Sequence, residues 1–182
     1  MKPSNLFAIV GLASLSLFVN AAALADSKAE IDASVTESLR QFHMLSPGNK
    51  KLEHKAEGVL IFPRVTKGGA GIAGEYGEGV LQIKGKTVGY YSVTSASIGL
   101  TLGISRRSEI LMFMTPAALD NFTSTNGWSI GADTGVALIS KGAGGDYDSQ
   151  TLQKPIIGFV FGEKGLIADL SLEGSKINKI ER

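Results

Sequence analysis

GAGGDYDSQTLQKPIIGFVFGEKGLIADLSLEGSKI, from Gly142 to Ile177, decides the fold class. Ile156 to Phe161 is apolar along its whole length, which predicts a strand buried on both faces. Gly162, Glu163, Lys164 and Gly165 then read as a turn. Beyond it Leu166, Ala168, Leu170 and Leu172 alternate with Ile167, Asp169, Ser171 and Glu173, the period-two pattern of a strand with one side in a core. The pair predicts an antiparallel hairpin. No residue type in it proposes catalysis.

Working outward, Trp128 to Ser140 reads as strand interrupted by Gly131 and Gly135, which suggest bulges or close backbone approaches. Thr115-Pro116 opens a short helix through Leu119 and Phe122, with threonine as cap and proline in the first turn. Glu109 to Met114 is a second strand buried on both faces, preceded by a polar turn at Ser105 to Ser108. Thr87 to Ser97 is rich in strand-favouring residues, and beyond Gly68 the chain alternates through Glu75, Tyr76 and Leu81 among many glycines. Val59 to Phe62 is a short buried strand ended by Pro63.

The N-terminal part is helical. Ile31, Val35, Leu39, Phe42 and Leu45 recur at spacings of four and three, one stripe of an amphipathic helix over Lys28 to Leu45. Ser46 and Pro47 start a second, short helix that runs toward Gly58. Helices first and strands afterwards give an α+β domain: amphipathic helices packed on a curved, largely antiparallel sheet or partly closed barrel.

Met1 to Ala25 has the form of a secretory signal, with Lys2, an apolar stretch from Leu6 to Val19 and an Ala23-Leu24-Ala25 ending. Leu6 to Ala25 is also 20 residues long, enough for an uncleaved membrane anchor. Cleavage after Ala25 leaves 26–182 as one domain of an exported, periplasmic protein. The chain has no cysteine, so disulfides, thiolate chemistry and a lipidated N-terminal cysteine are excluded. With 18 basic and 17 acidic residues it lacks the cationic surplus of a nucleic-acid binder.

Gly69-Ala70-Gly71-Ile72-Ala73-Gly74 matches the dinucleotide-binding pattern, but Glu75-Tyr76-Gly77-Glu78-Gly79 follows where a helix must receive the pyrophosphate. Glycine-rich curved strands account for it better. Lys84-Gly85-Lys86-Thr87 resembles the end of a phosphate loop, yet its spacing from Gly79 is one residue too long, and a hairpin turn fits instead. Asp146 and Asp148 lack the further ligands of a calcium loop, and His43 and His54 lack partners for a zinc site or a serine triad. No catalytic residue, cofactor or metal is expected.

Arg40, Lys50, Lys51, Lys55, Arg64 and Lys67 form the one basic stretch, against Glu53 and Glu57. These are the candidates for anionic headgroups, and Ile31, Val35, Leu39 and Phe42 the candidates for a membrane-facing helix. The same stripe also suits packing against the domain itself.

Four blocks resemble the SYLF family of lipid-binding and actin-regulator-like domains: AEGVLIFPRVTKGGAGIAGEYGEGVL (Ala56 to Leu81), GYYSVTSASIGLTLG (Gly89 to Gly103), ILMFMT (Ile110 to Thr115) and TLQKPIIGFVFGEKGLIADLSLEGSKI (Thr151 to Ile177). The resemblance implies a non-enzymatic module that binds phosphoinositide or another anionic phospholipid, or alternatively a scaffolding module related to actin-binding regulators. For an exported chain it implies a peripheral role at a membrane of the cell envelope, with an envelope protein as a possible partner.

Overall fold

The computed structural model describes residues 26–139, 150–162, 165–167 and 171–182, with residues 70, 71, 97–102 and 151 described by their backbone alone. Readings that fall on Met1 to Ala25, on residues 140–149 with Asp146 and Asp148, on Glu163-Lys164 and on Ala168 to Leu170 lie outside the described residues. In chain order the elements are α1 (Lys28–Leu45), α2 (Pro47–Lys55), β1 (Gly58–Ile83), β2 (Lys86–Phe113), α3 (Pro116–Ser124), β3 (Trp128–Ser129), β4 (Val136–Ile139), β5 (Ile156–Gly162), β6 (Gly165–Leu166) and β7 (Lys176–Ile180). The sheet is curled and mostly antiparallel, a half-barrel with helices against it. The α+β expectation holds, with one parallel pair, β4 on β5.

Each helix starts where its cap residues dictate. Ser27 accepts from the Glu30 amide while the Glu30 carboxylate accepts from the Ser27 amide, a capping box that satisfies two otherwise unpaired donors. Ser46 caps α2 and Thr115 caps α3, each followed by proline in the first turn.

The long β1–β2 hairpin organises the sheet. Its two-residue turn puts Lys84 at φ 51° and Gly85 at φ 72°, the positive values that match the strand twist. Neither strand runs straight. The register breaks between Ala70 and Ile72, and a Cβ on Gly69 would fall 2.1 Å from the Ile72 carbonyl oxygen, so β1 turns back there through a position open only to glycine. Its two halves then stack: a Cβ on Gly79 would lie 2.0 Å from the Ile61 oxygen, and one on Gly77 2.8 Å from the Arg64 oxygen. β5 pairs with the last part of β2, β7 with its first part, and β3 with β7.

Alternation along the central strands divides the core. Ile61, Ile110, Met112, Ile157, Phe159 and Phe161 face α1 and α2, while Leu60, Phe62, Leu111, Phe113, Ile156 and Val160 enter a second cluster with Phe122 of α3 and Trp128. β5 is thus buried on both faces, as its apolar run predicts.

Several boundaries differ from the sequence reading. Pro63 does not end its strand: it sits in a register shift between Phe62 and Val65, where a missing N–H costs no ladder bond. Ser105 to Ser108 is strand, not turn, because its polar side chains find partners: the Ser108 hydroxyl donates to the Pro63 carbonyl at 2.8 Å, and Arg107 is ion-paired. Of the strand expected from Leu166 to Glu173, Gly165–Leu166 pairs with β5, and the described residues 171–175 are not strand. Of the strand expected from Trp128 to Ser140, the described residues 128–139 hold two short strands separated by a turn at residues 132–134. β7, with only Ile177 and Ile180 as apolar markers, carries no pattern that predicts it.

Candidate functional site

The apolar stripe of α1 faces inward. Ile31, Val35 and Phe42 are at most 2% exposed, Phe42 meets Phe159 edge-on at 4.7 Å, and Leu39 packs partly buried against the same cluster. As a membrane-facing surface the stripe is therefore corrected: the uncovered β5 and β1 side chains beneath it offer a better apolar partner than water, and the helix closes over them. Of the other large apolar residues on the helices, Met44 at the end of α1 is exposed.

The six basic candidates separate into two groups. Arg40 Nη2 lies 2.6 Å from Glu37 Oε1, and hydrogen bonds from Arg40 and Gln41 pull the Glu37 carboxyl down to about 2. Arg64 pairs with Asp26 at 2.9 Å, and Lys67 with Glu75 at 3.4 Å. Their charges are answered within the domain. Lys50, Lys51 and Lys55 are exposed and make no ion pair among the described residues.

Helical geometry explains why these three stand together. Asn49 and Leu52 are buried, so Lys50, Lys51, His54 and Lys55 share the opposite side of α2. Asn49 fixes that orientation by donating through Nδ2 to the Phe42 carbonyl at 2.6 Å. Glu53, the acid on α2, is tied to His43 of α1, which pins the two helices and takes the carboxylate away from the lysines.

The β1–β2 turn enlarges the basic surface. A cleft of about 310 Å³ separates Glu53 and His54 of α2 from Gln82, Lys84 and Gly85. Lys84 and Lys86 are exposed. Neither is among the candidates read from the sequence, since only the fold-back of β1 brings its far end to α2; the Lys-Gly-Lys turn itself was the available signal.

A second charged group is structural. Arg107 Nη2 lies 2.5 Å from Glu75 and 2.7 Å from Glu109, with all three side chains under 10% exposed. Burial drives the Glu109 carboxyl upward against the attraction of Arg107. Burial also works against Glu75, but hydrogen bonds from Arg107 and Ser95 prevail and hold it low.

The glycine motif at Gly69 to Gly74 continues as strand, so no helix N-terminus stands ready for a pyrophosphate. Among the described residues no three His, Cys, Asp or Glu side chains are grouped to hold a metal, and no helix is long and apolar enough to cross a membrane.

The fold is thus a half-barrel with helices against it, in which Lys50, Lys51 and Lys55 share one face of α2 and make no ion pair among the described residues. Residues 94–181 match the family model Ysc84, described as Las17-binding protein actin regulator, in agreement with the resemblance to the SYLF family over that part of the chain. The match begins within β2 and runs through β7, leaving α1, α2 and β1 outside it. No curated protein matches the chain.

Proposed function

We propose that this is a non-enzymatic, peripheral lipid-binding domain that meets an anionic phospholipid surface through α2 and the β1–β2 turn. One observation carries the reading: Lys50, Lys51 and Lys55 are exposed and make no ion pair among the described residues, while Arg40, Arg64 and Lys67 are each paired. An unanswered row of ammonium groups is what a sheet of phosphates attracts, at about 1 kcal/mol for each lysine near the surface. Export through the Met1–Ala25 segment places that surface in the cell envelope.

Flotation tests it. Asp26–Arg182 is expected to rise with phosphatidylglycerol vesicles at low salt and to stay behind with pure phosphatidylcholine. Protein that remains at the bottom of the gradient with both lipids sinks the proposal.

The family description favours a second reading, a scaffolding module that binds a protein partner. Cosedimentation with actin filaments, or capture of an envelope protein without lipid, is its signature.

A further inference from the structure

The hairpin's far end, where β1 and β2 bend back, presents apolar side chains to solvent. Ile72 is 69% exposed and Ile104 is 77% exposed, the latter above Gly68 on the paired strand. Ile167, 37% exposed, follows β6 and lies beside Gly162 of β5. Single exposed isoleucines are ordinary on a protein surface. Here Ile72 and Ile104 both sit at the Gly69 bend, in a chain that buries Ile31, Ile61, Ile110 and Ile157 almost completely.

The charge pattern at the bend selects the partner. No aspartate or glutamate occurs from Gly58 to Gly74 or from Gly79 to Ser108. Glu75, the next acid along β1, is turned inward to Arg107, Ser95 and Lys67. Arg106 is exposed and makes no ion pair among the described residues. Around this the strands are, apart from Lys67, glycine, serine, threonine and aliphatic residues, TKGGAGIAG (66–74) and SASIGLTLGIS (95–105). Aliphatic side chains beside a guanidinium that makes no ion pair among the described residues complement the interface of an anionic bilayer.

We infer that this bend is a second membrane contact, inserting Ile72 and Ile104 below the headgroups while Arg106 meets a lipid phosphate. The inference rests on the lipid-binding reading and adds an insertion surface at the end of the hairpin away from the α2 lysines. The two contacts differ in how they answer to salt. Attraction at α2 is screened, whereas burial of isoleucine is not.

The chain's lack of cysteine allows one fluorophore to be placed at will. Asp26–Arg182 with Ile104→Cys carries an environment-sensitive nitrobenzoxadiazole label and is mixed with phosphatidylglycerol vesicles; Ala117→Cys, exposed on α3 and part of neither contact, is the control. A blue shift and quenching by spin-labelled acyl chains at 104 but not at 117 is the expected result. The Ile72→Asp/Ile104→Asp variant should then lose about tenfold in vesicle affinity at high salt. Both positions face solvent, so the fold tolerates the change, which circular dichroism checks. Vesicle binding with a label at 104 that stays in water overturns the insertion while leaving the α2 contact standing. No vesicle binding by any form overturns both. Label changes that track protein concentration without lipid make the bend a self-association surface and also overturn the inference.

Discussion

Arg107 shows how one side chain can be misread. In sequence it belongs to a polar run, Ser105 to Ser108, with the look of a turn, because an arginine between serines gives no sign that acids 32 residues upstream and two downstream converge on it. The structure places it between Glu75 and Glu109 inside the bend. Removing it leaves the buried Glu109 without its cation and Glu75 with Lys67 alone, so Arg107→Ala is expected to cost about 3–5 kcal/mol in urea unfolding. A loss below about 1 kcal/mol contradicts that role. Tyr90 offers a pH test. Burial first, and its hydrogen bonds to Asp32 at 3.0 Å second, raise the hydroxyl to about 12 from 10.0. The unfolded chain releases this proton earlier, so Tyr90's contribution is complete below pH 10 and is lost as pH rises toward 12. Tyr76, also raised to about 12, acts in the same direction. Tyr90→Phe should therefore show a shallower decline in melting temperature over that window than the parent protein; an identical decline removes Tyr90 as a cause.

Elements with local signals were legible, and those made by distant contacts were not. Ser46-Pro47 and Thr115-Pro116 announce α2 and α3 because a cap is a contact between residues two or three apart. The stripe of α1 announces a helix equally well, but its direction depends on what lies opposite, and the sheet surface that receives Phe42 is formed by residues more than a hundred positions away. The same limit hides the folding back of β1. Its glycines show that something comes close, without saying what. Gly79→Ala puts a methyl carbon against the Ile61 carbonyl, a backbone atom that cannot rotate aside, and is expected to cost about 3 kcal/mol or more. Gly85→Ala meets nothing within 4 Å and carries only the cost of positive φ, about 1 kcal/mol. Equal costs for the two, measured by chemical denaturation, contradict the stacked-hairpin account.

At the scale of the whole molecule, the family resemblance over residues 94–181 and the α+β order were legible in the sequence, whereas the candidate surface needed the fold to sort it. Six cations looked equivalent in sequence; ion pairs to Glu37, Asp26 and Glu75 remove three of them, and the fold-back of β1 brings Lys84 to the others. The central claim is that the lysines of α2 hold the domain on an anionic bilayer. The direct measurement is the affinity of Asp26–Arg182 for phosphatidylglycerol vesicles as a function of salt, alongside Lys50→Glu/Lys51→Glu/Lys55→Glu and the control Arg40→Glu. The account predicts that the triple variant binds at least about a hundredfold more weakly at low salt and loses most of its salt dependence, with Arg40→Glu close to the parent. A triple variant that binds as the parent does, with the same salt slope, contradicts it.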